Sequence, residues 1–193
     1  LFNLKNYFNF LLTLIPASFV AGNLVINLNI LLLIISAFLI FKNKIFSIKF
    51  FWFDKLIFFY FFLVLYTGTF NDYLFYKEGL SWKGYFATII KSLFFFKYLF
   101  LYLVTRFLIE KDFINLKLFF ISCAAVSLFV SFDIFYQFIF GKDIFGFEII
   151  GSGRKLGGPF GDELIAGGFI QRFSIFSFFV IPLFYPKYSN LIS

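Results

Sequence analysis

The chain has 193 residues, of which 62% are hydrophobic and only 14% charged, with a formal net charge of +7 and a mean hydropathy of +0.94. Soluble domains are about half apolar and about a quarter charged, so the composition excludes an ordinary soluble enzyme or binding module and predicts an all-α polytopic membrane protein. Apolar stretches near the ~20 residues needed to cross a bilayer recur along the whole length, so residues 1–193 read as a single transmembrane domain with no soluble domain left over.

The first apolar block, Tyr7 to Ala21, contains Pro16 and is separated from Leu24 to Phe41 only by Gly22 and Asn23. Two full spans barely fit, so a tight helical hairpin is expected, either of two short spans, as counted below, or with a first helix that dips and returns. It runs straight into more apolar sequence without a signal-peptide cleavage pattern, so it reads as retained. Lys42, Lys44, Lys49 and Lys55 surround a short connection, and Leu56 to Phe70 crosses again. Residues 71–84 read as a mixed-charge loop, Tyr85 to Leu108 as the next span, and Ile114 to Phe140 as a long one. A Gly-rich loop over 141–163 precedes a last span from about Leu164 to Tyr185. About six transmembrane helices result.

Lys and Arg placement sets the orientation. With the N-terminus cytoplasmic, nine basic residues (Lys5, Lys42, Lys44, Lys49, Lys55, Arg106, Lys111, Lys117, Lys187) face inward and six (Lys77, Lys83, Lys142, Arg154, Lys155, Arg172) outward. The Gly-rich loop is then on the far side, the periplasm in a bacterial inner membrane. Tyr7, Trp52, Tyr73, Tyr76 and Trp82 fit interfacial anchoring. The 39 phenylalanines and the many Ile, Leu, Asn, Lys and Tyr residues have AT-rich codons, as an AT-biased genome would produce.

The chain contains no histidine, which removes His-based metal sites and general bases from the residues supplied. Neither a metal nor a cofactor is expected. Cys123 lies in an apolar run without a disulfide partner and reads as a packing residue. The chain begins at Leu1, contains no methionine and stops eight residues after Tyr185. We therefore expect a piece of a longer protein.

Ionisable groups inside spans are costly unless paired or hydrated. Lys91 and Asp133 fall roughly 9 and 10 Å below the outer ends of consecutive predicted helices, at about 1.5 Å per residue, so a pair between them is expected. Lys97, nearer the midplane, reads either as a snorkelling side chain or as a substrate contact. Asp133, Tyr136 and Gln137 share one helix face at i, i+3 and i+4. Such a stripe either lines a cavity opening toward the next loop or serves as helix–helix glue.

The stretch GSGRKLGGPFGDELIAGG, 151–168, holds seven of the 13 glycines. It is neither a dinucleotide fingerprint, since position 156 is Leu, nor a P-loop, since no Gly-Lys-Ser/Thr follows. Asp162 and Glu163 stand where the last span should begin and are expected to cap it. Arg154 and Lys155 on a glycine-rich backbone make an anion site, suited at a membrane face to the phosphate or pyrophosphate of a lipid carrier.

The segments FDIFYQFIFGKDIFG (132–146) and GRKLGGPFGDELIAGGFIQR (153–172), with the opening IPASFVAGNLVINLNILLL, resemble the first half of the bacterial O-antigen ligase and O-antigen polymerase superfamily. The resemblance implies a membrane glycosyltransferase. Such an enzyme moves a glycan from an undecaprenyl pyrophosphate carrier onto lipid A-core or a growing chain, without a metal. On that reading Arg154 and Arg172 are the catalytic candidates, with Lys155, Glu163, Asp133 and Gln137 binding substrate. The implied partners are the lipid-linked donor, the acceptor and membrane lipids, and no nucleic acid. Family members are about twice as long and carry a catalytic histidine in a later loop, so this half is expected to be inactive alone. Two alternatives stand beside this reading: a small transporter using Lys91, Lys97 and Asp133 as its path, and a non-catalytic membrane scaffold. Inverted repeats would favour transport, and the sequence shows none that convinces.

Overall fold

A computed structural model describes residues 3–77, 86–149 and 156–181. The described residues are helical with no strand: α1 (Leu4–Thr13), α2 (Ile15–Val20), α3 (Asn23–Phe41), a 3-10 helix (Lys42–Ser47), α4 (Trp52–Lys77), α5 (Ala87–Phe95), α6 (Lys97–Glu110), α7 (Leu116–Phe140), a 3-10 turn (Gly158–Phe160) and α8 (Ala166–Ser177). Among the described residues, four stretches are long and apolar enough to cross a membrane: Asn23–Ser47, Trp52–Lys77, Ala87–Glu110 and Leu116–Phe140. The flanking blocks read as further spans, Tyr7 to Ala21 and Leu164 to Tyr185, are not among these four.

The distribution of side chains inverts the soluble pattern. On α4 and α7, Phe59, Phe62, Phe132, Phe135 and Phe138 point outward, while Gly68, Asp72, Ser127, Asp133 and Gln137 are buried. A hydrocarbon solvent selects this arrangement, because apolar groups gain little by hiding from lipid and polar groups lose by facing it.

The chain forms two compact units, Leu1–Asn29 with Phe113–Ser193, and Ile30–Asp112. In the first, Pro16 lacks the N–H an unbroken helix would need, so α1 and α2 part at Leu14. Ser122 on α7 donates to the carbonyl of Thr13 at that break, at 2.6 Å. Asn9 fastens α1 to the start of α7: its Nδ2 donates to the Phe113 carbonyl (3.1 Å) and its Oδ1 accepts from the Asn115 N–H (2.6 Å). Asn115 in turn caps α7 by accepting from the Lys117 N–H. Cys123 and Val130 of α7 pack with Ala166, Phe169 and Phe173 of α8 to form the core. Cys123 is thus the packing residue the sequence implied.

In the second unit, Phe41 of α3 meets Phe107 of α6, ring centroids 5.0 Å apart, and Leu33, Ala37, Val104 and Leu108 of these helices are buried. Residues 71–77, expected in a loop, instead extend α4. The reason is tertiary: the Asp72 carboxylate accepts the Thr88 (3.2 Å) and Ile89 (2.8 Å) N–H groups at the start of α5. It caps that helix from its neighbour, where the helix's own N-cap, Phe86, has no side-chain oxygen to offer. One turn earlier Gly68 lets the Ser92 side chain approach the α4 backbone. The stretch Ala87–Glu110 breaks at Phe96, and Lys97 starts α6 with its ammonium 5.0 Å from the Tyr98 ring centroid.

Candidate functional site

The polar stripe on α7 becomes a fastening for the two loop segments that follow it. Helix α7 ends at Gly141, whose φ of 77° lets the chain reverse while its N–H still reaches the Gln137 carbonyl at 2.9 Å. Residues 141–149 then fold back on themselves. The Asp143 N–H donates to the Phe147 carbonyl (3.0 Å), the Asp143 Oδ1 accepts from the Phe147 N–H (2.6 Å), and the Ile149 N–H reaches the Gly141 carbonyl (3.3 Å). Outside this reversal Lys142 and Glu148 form an exposed ion pair at 3.0 Å.

Asp133 and Gln137 lie beneath it, 0% and 1% exposed. The Asp133 Oδ1 accepts from the Ile144 N–H at 2.8 Å. Gln137 works in both directions: its Oε1 accepts from the Gly158 N–H (2.9 Å), and its Nε2 donates to the Phe147 carbonyl (3.3 Å). One amide therefore joins the 141–149 reversal to the 3-10 turn at Gly158. Gly158 has a φ of 56°, and a Cβ there would lie 2.8 Å from Ile134 Cγ1, so glycine is required both by the backbone and by the close approach to α7.

Asp133 and Asp143 each keep one oxygen, Oδ2, buried and without a hydrogen-bond partner. The bond from Ile144 sets the Asp133 carboxylate beside the peptide that follows Asp143. Such burial costs several kcal/mol per ion when nothing neutralises it. The result is a small, strongly acceptor-rich corner, whose oxygens have captured the backbone donors of Ile144, Phe147 and Gly158.

The remaining candidates are differently placed. Arg154 and Lys155 lie outside the described residues, between the 141–149 reversal and the Gly158 turn in sequence. Glu163 and Arg172 are exposed, and neither side chain makes a hydrogen bond or ion pair among the described residues. The capping expected of Asp162 and Glu163 is not formed. Helix α8 begins at Ala166 with Ile165 as its N-cap, no acidic residue in its first turn and no side-chain cap bond, because Leu164 and Ile165 intervene and carry the carboxylates past the helix start. Tyr136 is half-buried against Phe140, ring centroids 4.4 Å apart. The pair expected between Lys91 and Asp133 joins residues of different units, and the Asp133 carboxylate is engaged by Ile144 within its own. Asp143 belongs to the 132–146 segment that carries the resemblance but is given no role of its own by it, and Gly158 is not singled out. The sequence signals there are Gly141, two residues before Asp143, and the second glycine of Gly157-Gly158-Pro159.

Beside this corner an apolar groove of about 670 Å³ opens between α2, α7 and the loop segments, lined by Ala17, Ala21, Ala125, Phe129, Phe147 and Pro159 among others. The lining combines small aliphatic side chains with aromatic rings, a surface suited to hydrocarbon. Phe147 and Pro159 belong to the two segments that flank Arg154 and Lys155 in sequence.

No protein-family model matches the chain, and neither a curated protein nor a solved structure does.

Proposed function

We propose that the chain supplies the donor side of a membrane glycosyltransferase of the O-antigen ligase and polymerase type, holding an undecaprenyl pyrophosphate-linked glycan for transfer to lipid A-core or a growing polysaccharide. What supports this reading is an apolar groove lined by Phe147 and Pro159, which stand in sequence on either side of the glycine-rich stretch that carries Arg154 and Lys155. A lipid diphosphate needs both: burial of hydrocarbon, at about 0.8 kcal/mol per methylene, and a guanidinium able to grip phosphate through two hydrogen bonds. In this reading Arg154 neutralises the charge that develops on the leaving pyrophosphate. Lys155, Arg172 and Glu163 border the donor glycan. Asp133 and Gln137 hold the loop in place from below. The protein crosses a bacterial inner membrane six times, with its N-terminus cytoplasmic and residues 141–163 periplasmic.

The test is equilibrium binding of undecaprenyl pyrophosphate to the purified protein in nanodiscs, with undecaprenol as the reference. The parent should prefer the pyrophosphate by at least tenfold. Arg154→Ala should erase that preference, and Phe129→Trp, which narrows the groove, should weaken both lipids. Equal affinity for the two lipids in the parent removes the donor-site reading and leaves transport or scaffolding.

A further inference from the structure

The connection between the first two long apolar stretches presents charge and aromatic rings in an arrangement that nothing above uses. Between Phe41 and Lys55 there are four lysines and one acid, Asp54. In the structure that acid is 1% exposed and fully engaged: it accepts from the Phe51 N–H and the Tyr102 hydroxyl and pairs with Arg106. Arg106 also donates to the Lys49 carbonyl at 2.7 Å, and its guanidinium lies 5.0 Å from the Phe51 ring centroid. The one negative charge of the segment is thus cancelled internally.

Lys42, Lys44, Lys49 and Lys55 are all exposed, and their side chains make no hydrogen bond or ion pair among the described residues. The segment that carries them is held firmly. It opens as a 3-10 helix, Lys42–Ser47, and Ile45 and Ile48 are buried beneath it. Phe46 and Trp52, the latter 73% exposed, project from the same stretch. Because Asn23–Ser47 and Trp52–Lys77 are each long and apolar enough to cross a membrane, their connection lies at a membrane face.

We infer that residues 42–55 form a binding surface for anionic phospholipid headgroups, in which the four lysines take the phosphates while Phe46 and Trp52 sit among the upper acyl chains. Charge complementarity selects this occupant: a fixed cluster of four unpaired ammonium groups at a membrane face attracts anionic lipid at about 1 kcal/mol per lysine, and interfacial tryptophan settles at headgroup level. The inference rests on the two flanking helices crossing a membrane and is independent of the glycosyltransferase reading.

The chain has two tryptophans, Trp52 and Trp82, so Trp82→Phe leaves Trp52 as a reporter on the surface itself. The full chain in phosphatidylcholine vesicles is titrated with acyl-brominated phosphatidylglycerol or, separately, acyl-brominated phosphatidylcholine, and Trp52 quenching is followed. Half-maximal quenching should need about tenfold less of the anionic lipid. That advantage should vanish when Lys42, Lys44, Lys49 and Lys55 are all changed to Gln. It should vanish also for the unaltered surface in about 1 M salt, where the Debye length is about 3 Å; this arm needs no folded variant. Equal quenching by the two lipids in the parent overturns the inference, as does an advantage that survives the lysine changes or the salt.

Discussion

Replacing Gln137 by Met keeps the length and approximate volume of the side chain but removes its amide. The two bonds lost are unequal. The Phe147 carbonyl keeps the Asp143 N–H at 3.0 Å, so the loss of Gln137 Nε2 at 3.3 Å leaves it satisfied. The buried Gly158 N–H has no such reserve: Gln137 Oε1, at 2.9 Å, is its partner. An unsatisfied buried donor costs about 1–3 kcal/mol, so the turn should open with a free-energy cost lower by about 2 kcal/mol, roughly a thirtyfold gain in open population. Amide hydrogen exchange reads this directly, since exchange through local opening scales with that population. Peptides spanning 156–161 should exchange about thirtyfold faster in Gln137→Met, those spanning 141–149 only a few-fold faster, and those spanning 87–95 at the parental rate. Unchanged exchange over 156–161, or greater loosening over 141–149, would refute the assignment of Gln137 as the tie between the two loop segments.

Arg106→Leu should strand the buried Asp54 carboxylate, at a cost of about 3–5 kcal/mol, and lower the thermal unfolding midpoint in detergent by about 10 °C. Asp54→Leu combined with Arg106→Leu should regain part of that loss, and a double variant as unstable as Arg106→Leu alone contradicts the pairing. Gly68→Ala should cost about 1–3 kcal/mol, because its new methyl meets the Ser92 side chain. Ser92→Gly in the same background should restore the midpoint, and failure to do so points away from this contact.

The long apolar runs were readable because a membrane helix is written as one continuous stretch. The run expected from Ile114 to Phe140 and the observed Leu116–Phe140 agree to two residues at one end, and Gly141 closes the other. Where the outcome depended on a partner distant in sequence, the sequence misled. Asp72 looked like loop chemistry until α5 arrived for it to cap, and Asp162 looked like a cap because only structure fixes how far beyond it α8 starts. The Asp133–Gln137 face was visible from helical spacing alone. That its oxygens would be committed to Ile144 and Gly158 was not, since backbone donors carry no signature in side-chain identity. Asp143 escaped notice for the same reason.

The tie between α1 and α7 also fixes an order of assembly. Helices α1 and α2, 10 and 6 residues long, are too short to settle across a bilayer unaided, and the support for α1 comes from Asn9 meeting Asn115, 106 positions later. At about 5–20 residues per second of synthesis, the opening segment waits roughly 5–20 s before that partner exists. The continuous unit Ile30–Asp112 can close in the meantime, so α1 and α2 are made before that unit and secured after it. A chaperone or insertase acting on these residues would find a longer-lived client surface in α1 and α2 than in the unit Ile30–Asp112.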